Sequence, residues 1–470
     1  MPQREHTLSV PARMSRVAVV APALRLREAL VAVADAGVVE LAGPLPTASG
    51  ETVEALRRVE HAGGSGAAPQ PRLAPVAPDV ARLERRGAAD LLAGEVELER
   101  RAEAAVRHGS FAALVGWTPS AELQPLGERL AASGAVAVEL DRPSWIEPPT
   151  LIARKPVARP FRPLVETYGS AHYADMDPTL FATVSFVLMF GMMFGDLGHG
   201  LIVAGLALLL RRARRGRFAR FQPLWPLPFA AGLSAAFFGL LYGEFFGPTG
   251  AVPVVWLNPV DRPLPLLAAA VAIGALLLAQ SYAFGTVNRW REDGAAAALV
   301  APSGIAGTCV FLGGAILAAG WYFDATPVLV AGGAVVASGI VLLAVGHLVE
   351  SGRGALAGVE ASIGVVDSVV RVGASAVSFT RLAAFGLMHA ALGAIVWAAA
   401  TALWGGAVGT VLAVLVFFGG NLVAFALEAL VASIQALRLE YYELFSRIFA
   451  GEGRPFAPWH VPLASEKEET

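Results

Sequence analysis

The sequence predicts a mixed α/β domain followed by an all-α membrane domain with eight spans. Three observations carry this. Fully 55% of the 470 residues are hydrophobic and mean hydropathy is +0.58. Only 16% are charged, against roughly 25% in a soluble domain. The charges are also uneven: residues 1–163 are rich in Arg and Glu, and long apolar runs follow. One soluble domain ahead of a polytopic one fits this split.

The first element is "RVAVVAPALRLREALVAVADAGVVEL" (16–41), which reads as strand, helix, strand. "VAVVAP" is short and β-branched, the middle has helical period, and "GVVEL" follows a glycine stop. Residues 111–140 repeat the plan with "FAALVGW", a helix through "AELQPLGERLAAS", and "GAVAVEL". Between these two units lie a helical piece (51–61), a loop rich in Gly, Ala and Pro (62–78) and a charged helix (79–107), expected as a short antiparallel coiled-coil arm. A proline-rich linker over 142–163 leads to the membrane part. The expected domains are 1–165, soluble and cytoplasmic; 166–460, membrane; and 461–470, a cytoplasmic tail.

Eight apolar segments follow, at about 178–194, 196–211, 224–247, 264–288, 296–322, 327–349, 361–401 and 407–447. Loop arginines orient them. "RRARRGRFAR" (211–220) is strongly basic, and Arg289, Arg291, Arg353, Arg447 and Arg454 fall on the same side; Arg262 alone falls on the other. The expectation is a multi-pass protein of the cell membrane with both termini cytoplasmic. "MPQREHTLSV" has no apolar core of a signal peptide. The single cysteine, Cys309, excludes an intrachain disulfide or a cysteine metal site. Net charge is −2, and the arginine-rich composition is no nucleic-acid signal.

The last two segments are too long for an upright crossing. About 41 residues at ~1.5 Å each reach ~60 Å, twice a ~30 Å hydrocarbon core. They protrude or tilt steeply, and steep tilt needs a large neighbouring surface to impose it.

Both segments also carry polar stripes. On the seventh, Asp367, Arg371, Ser375, Ser378 and Arg381 are spaced by four, four, three and three, and His389 follows. On the eighth, Asn421, Glu428, Gln435 and Tyr442 are seven apart, with Arg438 on an adjoining line. The two segments run in opposite directions. His389 and Glu428 therefore share the outer side, ~12 and ~15 Å beyond the arginines along the helix axes, and Asp367 lies ~21 Å inward. A charge at mid-bilayer costs at least ~2.5–3.5 kcal/mol. Snorkelling cannot relieve Arg381, about twenty residues from either end of its segment. A purely structural pair, such as Arg438 with Glu428, and an ion path both fit the pattern. Arginine suits the second, because with a pKa above ~12 it attracts a carboxylate without passing a proton.

These residues resemble subunit I of archaeal and bacterial V/A-type rotary ATPases, called subunit a in eukaryotic V-type enzymes. "DPTLFATVSFVLMFGMMFGDLGHGLI" (177–202), "GLLYGEFFG" (239–247), "SFTRLAAFGLMHAALG" (378–393) and "EALVASIQALRLEYYELFSRIFAGEGRPFAPW" (428–459) carry the resemblance. So does the linker "EPPTLIARKPVARPFRPLVETYG". The resemblance implies a membrane stator that couples proton or sodium movement to ATP hydrolysis or synthesis. It makes Arg381 and Arg438 the essential arginine pair, His389 and Glu428 outer half-channel residues, Gln435 a neighbour of the pair, and Asp367 an inner acid. Asp196, His199, Ser378, Asn421 and Tyr442 are secondary positions; close helix packing accounts equally for the glycines around Asp196 and His199. The implied partners are a rotating ring of membrane proteolipid subunits, peripheral stalk subunits, a central stalk subunit and the lipid bilayer, with no nucleic acid. No cofactor or metal is implied, and no "GxxxxGK[ST]" loop is present. One departure stands out: the soluble domain has about 165 residues, about half what the resemblance implies, and the shortfall falls in the arm. A self-contained secondary transporter would show inverted repeats, which are not evident here. A scaffold without transport would not need both stripes.

Overall fold

The computed structural model describes residues 12–63, 69–141, 143, 146–151, 161, 164–165, 175–213, 218–351, 355–449 and 453–464. The expected linker over 142–163, Arg353, the centre of the basic 211–220 loop and the last six residues lie largely or wholly outside them. The chain forms two units. One holds the described residues from 12 to 151 together with 453–464; the other holds those from 161 to 449.

In the first unit the two predicted α/β repeats merge into one sheet. The strands are β1 (Met14–Pro22), β2 (Glu40–Leu41), β3 (Val106–His108), β4 (Phe111–Pro119) and β5 (Val136–Leu140). Their order is β2-β4-β1-β5, with β3 on β4, and every pairing is antiparallel. Each repeat places its second strand beside the other repeat's first, giving the split βαβ arrangement. Helices α1 (Leu26–Ala36) and α5 (Leu123–Ala131) complete the repeats. α1 ends at Gly37, whose φ of 60° forms the left-handed cap.

The arm is a small helical cluster of α2 (Glu51–Gly63), α3 (Val80–Arg86) and α4 (Ala89–Ala104). Asp79 caps α3 by accepting from the N–H of Ala81 and Arg82, and Gly87 at φ 67° ends it. That glycine divides the charged run expected as one helix over 79–107 into two.

Residues 453–464 belong to this unit. Trp459 and Val461 are buried in the same core as Val17, Val19 and Leu30. The Trp459 N–H donates to Val39 O at 2.8 Å, and Leu73 donates to Pro462 O at 3.0 Å. The Arg101 guanidinium lies 4.4 Å above the Trp459 ring.

The second unit is helical: α6 (Thr179–Met193), α7 (Leu197–Arg212), α8 (Pro226–Tyr242), α9 (Pro263–Val300, broken at Gly294), α10 (Ile305–Tyr322), α11 (Thr326–Ser351), α12 (Ala355–Ser378), α13 (Thr380–Ala402) and α14 (Gly406–Leu439). A π-helical turn, Glu440–Phe445, and α15 (Ser446–Ile448) follow. Five stretches are long and apolar enough to cross a membrane: Pro263–Glu292, Gly294–Tyr322, Thr326–Val349, Leu356–Ala402 and Gly406–Ile448. α6 and α8 are apolar but shorter. The last two stretches have 47 and 43 residues, the first interrupted at Phe379 between α12 and α13.

Candidate functional site

α13 and α14 run antiparallel, with His389 against Glu428 and Val396 against Gly420. His389 Nδ1 and a Glu428 oxygen are in direct hydrogen-bond contact, and both side chains are buried. Continuing the same register along the two helices brings Arg381, in the first turn of α13, level with the Gln435–Arg438 turn of α14. Arg381 is half-buried and Arg438 is exposed. Among the described residues, neither has a hydrogen-bond or ion-pair partner. Gln435 presents a buried Oε1 that likewise has none.

Three further polar groups join His389 and Glu428. Asp196, with no exposed surface, caps α7 by accepting from the His199 N–H at 2.8 Å. Its second oxygen accepts from the Gly247 N–H at 3.1 Å. His199 is buried, neither ring nitrogen has a hydrogen-bond partner, and its ring centroid lies 5.7 Å from that of His389. Glu244, from the loop after α8, is buried with one oxygen unpartnered. Asp196 and Glu244 both lie within electrostatic reach of His389. Phe194, Phe246 and Phe425 pack around the His199 ring. Three carboxyls and two imidazoles thus share one apolar enclosure. Burying so many ionisable groups together is costly, which makes the enclosure a candidate functional site. Asp196, His199 and His389 bring ligand atoms within 4.8 Å of one another, the one such group among the described residues with metal-binding potential.

Glycine creates the space for this enclosure. A Cβ on Gly200 of α7 would lie 2.4 Å from Ala236 N, and one on Gly239 of α8 would lie 2.1 Å from Leu197 N. Backbone-to-backbone approach is what "FGDLGHG" supplies, and it sets Asp196 and His199 beside α13.

The remaining predicted residues sit apart. Asp367 pairs with Arg371 at 2.5 Å, one turn along α12, with both side chains largely exposed. Ser378 ends α12, and Tyr442 is 71% exposed. Asn421 is buried and donates to Phe417 O within its own helix. The stripe therefore divides. Ser375 faces the interior, while Asp367 and Arg371 face outward with Arg438.

Sequence reasoning did not single out Glu244, Glu440 or Arg447 as site residues. Arg447, read from the sequence as a loop charge, is buried and donates to Ser375 Oγ at 3.1 Å and to Arg371 O at 3.3 Å. Glu440 is fully buried in the π-helical turn. The legible signal for Glu244 was an acid between glycines at the end of an apolar run. Glu440 and Arg447 look like charges at a helix end.

Comparison with known proteins agrees with this architecture. Residues 106–252 match the V-type ATPase 116kDa subunit family. The A-type ATP synthase subunit I of Thermococcus kodakarensis is 29% identical over 373 residues, covering 74% of this chain and 54% of that protein. The subunit I of Archaeoglobus fulgidus is 36% identical over 135 residues, 29% of this chain and 19% of that one. V-type ATP synthase subunit I 2 of Treponema pallidum is 36% identical over 143 residues, 28% of this chain and 32% of that one. The chain carries that family's match over 147 of its 470 residues. It is homologous to A-type ATP synthase subunit I over about 74% of its length. It spans about half the length of the first of these relatives.

Proposed function

We propose that this chain is the membrane stator of a V/A-type rotary ATPase. It crosses the membrane eight times with both termini cytoplasmic, counting α6, α7 and α8 as short spans. A ring of small proteolipid subunits turns against α12–α14, each presenting one carboxylate. Protons (or sodium ions) reach that carboxylate through one half-channel and leave through the other, and the movement is coupled to ATP hydrolysis or synthesis on partner subunits of the stalks and head.

Arg381 and Arg438 hold the passing carboxylate in its ionised form. Among the described residues their guanidiniums have no partner, and a mid-membrane cation needs one. Their permanent charge blocks a continuous proton wire between the half-channels. Glu428, His389, His199, Asp196 and Glu244 form the outer half-channel, where His389 and Glu428 exchange a proton in direct contact and the other three groups extend the polar path. Gln435 orients the pair. Asp367 lines the inner side.

The observation that carries this reading is the contact of His389 with Glu428 across α13 and α14, with two unpartnered arginines level with each other a few turns away. The test is Arg381→Ala in the assembled complex, reconstituted in vesicles. ATP-driven ion uptake should fall at least a hundredfold with assembly unchanged. Normal uptake would remove Arg381 from the mechanism and with it the stator reading.

A further inference from the structure

Glu440 is a buried acid for which the function above has no use. It opens the π-helical turn, two residues past Arg438 and twelve past Glu428. It therefore lies beyond Arg438 as seen from Glu428. π-helical turns gather at functional sites, because the extra residue re-aims a side chain.

Its hydrogen bonds carry the argument. Ser185 Oγ of α6 lies 2.7 Å from Glu440 Oε2, 2.8 Å from Phe181 O and 3.2 Å from Ala182 O. A hydroxyl has one hydrogen to give. If Ser185 donates to Phe181 O within its helix, the 2.7 Å contact must be donated by Glu440 as a carboxylic acid. If Ser185 donates to Glu440 instead, a fully buried carboxylate rests on one hydrogen bond. Its other oxygen, Oε1, is buried without a partner. Burial of an ion so poorly solvated is strongly disfavoured.

No cation in the surrounding elements relieves this. α6 brings no ionisable group. α9 brings Tyr282 and, beyond it, the ion-paired Arg289 and Glu292. α15 brings Arg447, which is bonded to Ser375 and Arg371 O and lies over the Tyr282 ring. On the turn and the end of α14 are Tyr441, Tyr442, Glu443 and the exposed Arg438. None forms an ion pair with Glu440 among the described residues.

We propose that Glu440 is a proton-carrying carboxyl on the inner side of the arginine pair, with Ser185 as its hydrogen-bond switch. In the acid form Glu440 O–H donates to Ser185, which donates to Phe181 O. When the proton leaves for the water or acceptor of the inner path, the Ser185 hydrogen turns from Phe181 O to the new carboxylate. Return of a proton reverses both moves. No other atom is gained or lost. This adds a second acid, besides Asp367, to the proposed inner path, and it rests on the stator reading above.

The experiment uses the assembled complex in vesicles and follows ATP-driven proton uptake across pH. It compares wild type, Glu440→Gln, Glu440→Asp, Ser185→Ala and Arg381→Ala. Gln keeps the shape and hydrogen-bonding capacity of the neutral acid but cannot carry the proton. Uptake at least tenfold slower in E440Q, partly restored in E440D, with a displaced pH profile in S185A, is the expected result. Uptake within twofold of wild type in E440Q, with R381A inactive, would make Glu440 a packing residue and overturn the proposal alone. Normal uptake in R381A would overturn the stator reading beneath it. Should E440Q fail to assemble, E440D decides: a displaced pH profile supports the relay, and an unchanged profile overturns it.

Discussion

Glu95 and Arg27 show how a residue's setting decides its chemistry. Glu95 is buried in α4 and bonds to Arg27 of α1 at 2.5 Å, with Arg27 retaining some exposed surface. Burial raises the Glu95 carboxyl above its ordinary value, and Arg27 opposes that rise. A raised carboxyl binds its proton more tightly folded than unfolded, so the ionised form costs stability above the folded value and that cost disappears as pH falls. Arg27→Ala removes the opposing cation. It should destabilise this unit by about 2–3 kcal/mol at neutral pH, below the ~3–5 kcal/mol of a fully buried pair. The loss should shrink as Glu95 takes up its proton in acid. Amide hydrogen exchange in α1 and α4 across pH would measure it; a pH-independent loss would refute the argument. The polar stripes of the last two helices were legible from spacing, because helical period puts those residues on one line. Which members were buried was not. Asp367 and Arg371 satisfy each other on an open face, while Ser375 from the same line receives Arg447.

At the scale of elements, close approach of α7 and α8 organises the site. Gly200 and Gly232 sit where any side chain would meet the facing backbone: a Cβ on Gly232 would lie 2.6 Å from Ala204 N. Gly200→Leu should therefore separate the two helices and displace Asp196 and His199 from His389. The expected outcome is a fall in the thermal stability of the purified membrane protein together with loss of ion uptake. Retention of both would show that the pair tolerates a wider spacing. The long final segments were also legible, because their apolar length exceeds any upright crossing. The interruption at Phe379 was not, since nothing in "AVSFTRLAAF" breaks a helix locally. Phe379 is fully buried, and its ring lies where a Cβ on Gly274 would come within 2.2 Å. Packing against α9 fixes that position.

For the molecule as a whole, residues 453–464 join the unit built by residues 12–151. Thr150 and Arg454 share a backbone bond of 2.7 Å, and Phe456 returns one to Thr150 at 3.0 Å. Arg454 also pairs with Glu40. Trp459→Ala would empty a buried site beneath Arg101 and should cost about 3–5 kcal/mol. Limited proteolysis should then cut within 453–464 at far lower protease concentration than in wild type; equal resistance would show that the backbone bonds alone hold the segment. Amino-acid order by itself determined the two-part architecture, the repeated α/β plan, the oversized last helices and the order of Arg381, Arg438, His389 and Glu428 along the two antiparallel helices. Those features depend on hydrophobic length and local periodicity, which need no knowledge of neighbours. Only the tertiary structure decided that the repeats interleave into one sheet, that Trp459 completes the core beneath them, and that Glu244, Glu440 and Arg447 are buried. Burial and pairing are set by contacts between residues up to several hundred positions apart, and no local pattern encodes them.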